Sequence, residues 1–199
     1  FTDYKALVCL FLNGGNDSFN MLVPREQAAY NEYVNVRGGL ATVNNQGEYS
    51  GGLALSNSGS GGPLDLLPIT SVRQTQPGGA GYSEFGIHPK LPYLKTLYDQ
   101  GDLAFVSNVG SLIQPTSLAE YTTKSKPLPE GLFSHPDHQV HWQTLVPQVR
   151  GSSPKGWAGR MAEVMSHANQ QSNIAMNISL SGANVLQSGA TTVPYITDP

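Results

Sequence analysis

The stretch Leu7–Val23, with the sequence Leu-Val-Cys-Leu-Phe-Leu-Asn-Gly-Gly-Asn-Asp-Ser-Phe-Asn-Met-Leu-Val, decides the predicted fold. Its first six residues form an uninterrupted apolar run, which is typical of a strand covered on both faces in a mostly parallel sheet. The run ends at Gly14-Gly15, where glycine permits a tight turn. Asp17 follows, at the sheet edge where α/β proteins bind ligands and metal ions. Alternatively, Asn16–Ser18 only cap the next element.

A second apolar segment is expected to lie beside the first one. The helix predicted between Phe85 and Gly101 separates Leu7–Leu12 from Leu103–Val106. A strand–helix–strand order favours a right-handed parallel crossover, so both strands should end at the same edge of one sheet. The loop that begins at Asn108 would then lie at that edge.

Further elements are predicted from apolar periodicity and from proline and glycine signals. They are a helix at Pro24–Tyr33, a helix at Arg160–Gln171 with Met161, Val164 and Met165 on its apolar side, and a strand at Asn173–Leu180. The stretch 42–81 is rich in Gly, Ser and Asn, and we interpret it as a loop insertion. We expect residues 1–199 to form the N-terminal part of one domain.

The composition narrows the classes of function. The chain has 199 residues, enough for one domain with a sizeable core. A net charge of −3 provides no electrostatic footprint for nucleic acid. No apolar run is long enough for a membrane span. Only 13% of the residues are charged, which is compatible with an exported protein. The single Cys9 excludes an internal disulfide and is predicted to be a small core residue.

Three of the five histidines lie close together in one segment. Ser134 precedes Pro and Asp137, a pattern typical of a helix start. On that helix His135 and His138 share one face, and Asp137 and His141 share another. Imidazole and carboxylate bind zinc and other divalent ions, and a serine at a helix N-terminus can act as a nucleophile beside a bound anion. The alternative is a capped helix whose histidines face solvent and whose Trp142 is core.

Five motifs together resemble the signature of a known family, the domain-of-unknown-function fifteen-oh-one family. They are Leu10–Pro24, Phe85–Pro89, Leu103–Gly110, Leu132–His135 and Gly156–Arg160. Members are bacterial proteins that are commonly exported by the twin-arginine route. The family is placed with the alkaline phosphatase and sulfatase superfamily.

This resemblance implies a three-layer α/β/α sandwich with a mostly parallel sheet. It also implies a metal-dependent hydrolase of phosphate or sulfate esters, with zinc, calcium or magnesium as the divalent ion. The acidic metal ligand after the first strand corresponds to Asp17, and the nucleophile region corresponds to Ser134–Asp137. The remaining ligands of the superfamily come from the C-terminal half, and nothing after Val185 supplies them.

We therefore expect an exported protein, in the periplasm, at the cell surface or outside the cell, whose site is completed by a C-terminal continuation or a partner chain. Its substrate would be a small-molecule or polymer-borne ester. The expected site residues are Ser134 as nucleophile, Asp17, His135, Asp137 and His138 as metal ligands, and Asn16, Asn108, His141 and Arg160 around them. Two alternatives remain: a non-catalytic secreted or cell-surface structural protein, and a structural metal site formed by His135, Asp137, His138 and His141 alone.

Overall fold

The computed structural model describes residues 6–14, 16–71, 82–150, 155–169 and 174–197. The chain divides into two compact units. The first is Ala6–Val106, and the second runs onward from Ser107.

The first unit is built on a small antiparallel sheet. Its elements, in chain order, are a 3-10 helix at Ser18–Asn20, β1 Leu22–Pro24, α1 Gln27–Val36, β2 Ala41–Val43, β3 Tyr49–Gly51, β4 Leu67–Thr70, β5 Glu84–Ile87 and α2 Pro92–Gln100. Strand β5 lies in the middle and pairs antiparallel with β1 and with β4. Strands β2 and β3 form a separate antiparallel hairpin.

Local sequence signals explain the two helices of this unit. Helix α2 begins with Pro92, whose missing N–H has no intrahelical partner there in any case. It ends at Gly101, which adopts the left-handed conformation with φ of 83°. The predicted stop at Gly101 is therefore confirmed. A helix is also confirmed after Pro24, although α1 begins three residues later and Pro24 itself ends β1.

The core of the first unit joins β1 to the Gly- and Ser-rich stretch. Val23, Leu55 and Leu66 are buried against one another, and Tyr30 and Tyr33 of α1 pack on them. The Tyr33 hydroxyl accepts the backbone N–H of Leu55 at 2.8 Å. The stretch interpreted as a loop insertion thus supplies two of these core side chains.

The same stretch wraps around a buried carboxylate. Asp65 is only 5% exposed. Its oxygens accept the hydroxyls of Ser58 and Ser60 and the N–H of Gly61, each at 2.9 Å. The Ser56 hydroxyl lowers the pKa of Asp65 most, burial opposes this, and Ser58 and Ser60 lower it further, so the pKa lies well below its usual range.

The predicted parallel sheet is wrong. Neither Leu7–Leu12 nor Leu103–Val106 forms a strand, and Val8 and Leu10 are 86% and 82% exposed. Cys9 is exposed as well, not a core residue. An apolar run becomes a central strand only when neighbours satisfy its N–H and C=O groups on both sides. The described residues provide no such neighbours, so the sheet-edge arrangement expected for these strands is not formed.

The second unit is mainly helical. Its elements are α3 Leu118–Thr123, α4 His135–Thr144, α5 Trp157–Val164, 3-10 helices at Ser166–Ala168 and Val185–Gln187, β6 Ile178–Ser179 and β7 Tyr195–Ile196. Strands β6 and β7 form a short parallel pair. Of the strand predicted at 173–180, the structure forms only β6, and Asn173 lies outside the described residues.

Helix α5 packs against its neighbour through small residues and not through the predicted apolar stripe. Gly156 and Gly159 are buried, and a Cβ on either would collide with backbone atoms of the segment 185–189. The N–H of Gly156 donates to the carbonyl of Ser188 at 2.8 Å. Val164, predicted on the apolar side, is 76% exposed. The helix therefore approaches its neighbour through backbone contact.

Candidate functional site

Helix α4 begins where the sequence predicts it. Ser134 occupies the N-cap position, Pro136 lies in the first turn, and Asp137 is the acidic residue of that turn. Proline has no N–H to leave unpaired, and a carboxylate favours the positive end of the helix. The Ser134 side chain nevertheless makes no capping hydrogen bond. The Ser134 hydroxyl therefore does not cap the N–H groups at the start of α4.

The turn before Ser134 has an unusual backbone. Gly131 and Phe133 have positive φ angles of 63° and 70°. A side chain at Gly131 would collide with the carboxylate of Asp137, and glycine avoids that collision. The backbone N–H of Phe133 donates to Nε2 of His138 at 3.0 Å. The turn is thus bonded to α4 through His138, and Asp137 lies against it; the sequence predicts both residues as metal ligands.

His138 and His141 stand side by side, with ring centroids 5.7 Å apart. His141 is only 2% exposed, and neither of its ring nitrogens has a hydrogen-bond partner among the described residues. Burial lowers the pKa of His141 most, His138 lowers it further, and Asp137 partly opposes both. His141 is therefore a neutral buried ring near pH 7. His135, by contrast, is exposed.

Two arginines approach α4 in different ways. The Arg150 Nε lies 3.8 Å from the carboxylate of Asp137, and the Arg150 side chain is largely exposed. Such a pair contributes little to stability. Arg160 instead donates to the backbone carbonyls of Thr144 and Lys155, at 2.9 and 3.1 Å. Arg160 therefore joins the C-terminal end of α4 to α5 through backbone carbonyls.

The remaining predicted site residues have local partners or are exposed. Asp17 lies in the first unit, where it forms an ion pair with Arg37. Asn16 is exposed and its amide approaches the sulfur of Met21 at 3.5 Å. Asn108 is exposed and adopts a positive φ of 58°. Asp17 and the residues of α4 belong to different units, so their joint metal site stays a prediction.

The donors described in the structure do not form a metal centre by themselves. No group of three or more His, Cys, Asp or Glu side chains that could hold a metal ion occurs within the described ranges. The Nε2 lone pair of His138 is already occupied by an N–H, and His141 is closed off from solvent. The hypothesis of a structural metal site from His135, Asp137, His138 and His141 alone is therefore not supported.

Comparisons with known proteins found no relative. No protein-family model matches the chain, and no curated protein and no solved structure matches it. The resemblance to the domain-of-unknown-function fifteen-oh-one family accordingly stays a prediction. In the part of the chain that the structure describes, no helix has the length and apolar character needed to cross a membrane.

Sequence reasoning missed several residues that shape this region. Gly131 is required by the approach of Asp137, and Thr144 is fully buried at the end of α4. The only sequence signal for Gly131 was a glycine shortly before a predicted helix start. Trp142, which the alternative interpretation placed in the core, is exposed, and its carbonyl accepts the indole N–H of Trp157 at 3.1 Å.

Proposed function

We propose that this chain belongs to a secreted, metal-dependent hydrolase of phosphate or sulfate esters, as the resemblance to the domain-of-unknown-function fifteen-oh-one family implies. Ser134 is the proposed nucleophile. Its oxygen would attack phosphorus or sulfur and displace the alcohol of the ester, and water would then release inorganic phosphate or sulfate.

One observation carries this proposal. Phe133, directly before Ser134, holds a left-handed backbone conformation that costs free energy for any residue other than glycine. The ring of His138 fixes that conformation by accepting the Phe133 N–H. Strained residues of this kind are concentrated at functional sites. The first turn of α4 also offers N–H groups without an intrahelical acceptor, which favour an anionic ester.

The metal ion has no assigned step in this proposal. The α4 side chains do not fit a metal centre on their own, because His138 is occupied and the donors do not gather. The predicted ligands Asp17, His135, Asp137 and His138 therefore stay a hypothesis that metal analysis tests.

The decisive experiment uses the full-length protein with 4-nitrophenyl phosphate and 4-nitrophenyl sulfate. Metal is removed by chelation and then Zn²⁺, Mg²⁺ or Ca²⁺ is added back. We expect hydrolysis of one ester with at least one ion, and Ser134→Ala should lower the rate by about 10³-fold or more. The matched control Ser166→Ala, at an exposed serine of the same unit, should stay within about twofold.

Hydrolysis of neither ester with any of the three ions, by a folded full-length protein, would sink the enzyme proposal. An unchanged rate in Ser134→Ala would sink the assignment of the nucleophile. Either result can be obtained without the other, so the two parts are tested separately.

A second candidate function is a non-catalytic secreted or cell-surface structural protein. It is favoured by the engagement of predicted site residues in local structure: His138 with the Phe133 N–H, and Arg160 with two backbone carbonyls. This candidate predicts no metal in the purified full-length protein and no hydrolysis. Elemental analysis after purification without chelators distinguishes it from the hydrolase.

A further inference from the structure

A cavity of about 300 Å³ lies within the first unit. It opens between the β2–β3 hairpin, the segment that contains Leu53, Leu55 and Leu64, and the turn that follows β5. Of its lining residues, Leu55 is buried, whereas Leu53 is 59% exposed. Tyr49 also lines the cavity. Most of the lining is therefore apolar, as in sites that bind small organic molecules.

His88 provides a polar group at this cavity. Its Nδ1 accepts the backbone N–H of Lys90 at 3.1 Å. Burial lowers the pKa of His88 most, and Asp17 raises it while Lys90 lowers it. The ring is then neutral near pH 7, and with Nδ1 acting as acceptor its proton resides on Nε2. His88 can therefore donate one hydrogen bond from Nε2 to a ligand.

Lys90 provides the charge. The backbone N–H of Lys90 donates to the ring of His88. The Lys90 ammonium forms no ion pair with any described residue. No carboxylate belongs to the described lining of the cavity. Lys90 is thus the charged residue of the lining, which favours an anion, and Asp17, the acid that acts on the pKa of His88, forms an ion pair with Arg37.

We propose that this cavity binds a small organic carboxylate with an apolar body, such as a monocyclic aromatic acid. The body would contact Leu53, Leu55 and Leu64, and the carboxylate would accept hydrogen bonds from Lys90 and His88. The volume is at the lower end of the range for ligand sites, which favours a small ligand. This inference uses only residues of the first unit and does not depend on ester hydrolysis.

Fluorine NMR of 4-fluorobenzoate with the whole chain tests the proposal. The fluorine signal should broaden on addition of the protein, and the neutral isostere 4-fluorobenzamide should bind roughly fivefold to tenfold more weakly, because it lacks the charge-assisted contact. Lys90→Met should weaken benzoate binding by a similar factor. Lys95→Met is the matched control, because it removes the same charge from an exposed ion pair with Asp99.

A blocking variant adds an independent readout. Leu53 is at the exposed rim, so Leu53→Trp should keep the fold and fill the opening, which should abolish the broadening for both probes. Absence of broadening with the unmodified chain, equal affinity for the acid and the amide, or equal losses in Lys90→Met and Lys95→Met would each overturn the proposal. The pair of lysine variants decides the question even if Leu53→Trp does not fold.

Discussion

Asp65 in the first unit and His141 in the second are both almost completely buried, yet their surroundings differ. The Asp65 carboxylate accepts hydrogen bonds from two serine hydroxyls and a glycine N–H, and its pKa is lowered. The His141 ring has no hydrogen-bond partner among the described residues, and its pKa is also lowered. A lowered pKa means a stabilised charge for the acid and a disfavoured charge for the imidazole. Donors, rather than burial, therefore decide whether a buried group stays charged.

The largest effect on stability should come from removing the buried carboxylate of Asp65. Asp65→Ala should lower the free energy of unfolding of the first unit by about 3 kcal/mol, because several donors lose a charged acceptor. Asp65→Asn keeps the shape and should cost about half as much. Urea unfolding followed by far-UV circular dichroism measures both. A loss below about 1 kcal/mol for Asp65→Ala would show that the serines and glycines hold the loop without it.

Removing the neutral ring of His141 should instead raise stability. His141→Leu removes two unpartnered ring nitrogens from the interior and should raise the stability of the second unit at pH 8 by about 1 kcal/mol. Trp142 and Trp157 lie in this unit, so tryptophan fluorescence during urea unfolding reports on it. A clear loss of stability at pH 8 would mean that the ring makes contacts more favourable than its unpaired nitrogens are costly.

The same variant predicts a change in pH dependence. The unfolded chain takes up a proton at His141 near the ordinary pKa of about 6.5, whereas the folded chain does so only at lower pH. Stability from this group is therefore complete above about pH 6.5 and falls as the pH decreases below it. Asp65 stabilises the folded chain above its ordinary pKa of about 3.9, and this stability is lost as the pH falls below that value. His141→Leu should therefore flatten the dependence of stability on pH between these two values.

Removing one donor of the Asp65 loop should have a smaller effect than removing the carboxylate itself. Ser58→Ala removes a hydroxyl that donates to the carboxylate at 2.9 Å, and it should cost about 1 kcal/mol. Ser50→Ala removes an exposed hydroxyl that pairs with Thr42 at 2.8 Å, and it should cost less than about 0.5 kcal/mol. Equal costs in parallel urea titrations would mean that the buried carboxylate does not depend on this donor.

The sequence predicted two helix boundaries correctly, the stop of α2 at Gly101 and the start of α4 after Ser134, because glycine and serine act on the backbone within a few residues. The helix expected from Phe85 begins only at Pro92, because Glu84–Ile87 pairs as β5. Strands were predicted poorly. β1 pairs with β5, more than 60 residues further along the chain, and nothing local in Leu22–Pro24 specifies that partner. Leu7–Leu12 has the apolar character of a strand, but no strand among the described residues pairs with it.

At the candidate site, too, the sequence predicted local features but not the contacts between separate segments. The sequence located Ser134, His135, Asp137 and His138 on one helix, because spacing along a helix determines which residues share a face. It could not foresee that His138 accepts the Phe133 N–H or that Asp137 lies against Gly131, because both contacts depend on the turn conformation. The buried environment of Asp65 was missed for a related reason: serine and glycine carry no apolar signal, although their donors solvate a carboxylate.

The exposed segment Leu7–Leu12 has a consequence for the behaviour of the chain in concentrated solution. Its six residues carry no charge and no proline, and their backbone groups have no strand partner among the described residues. Segments with this composition pair readily with identical copies of themselves and can seed β-type aggregates. A lysine in place of Leu10, which is 82% exposed, should raise the concentration at which turbidity first develops.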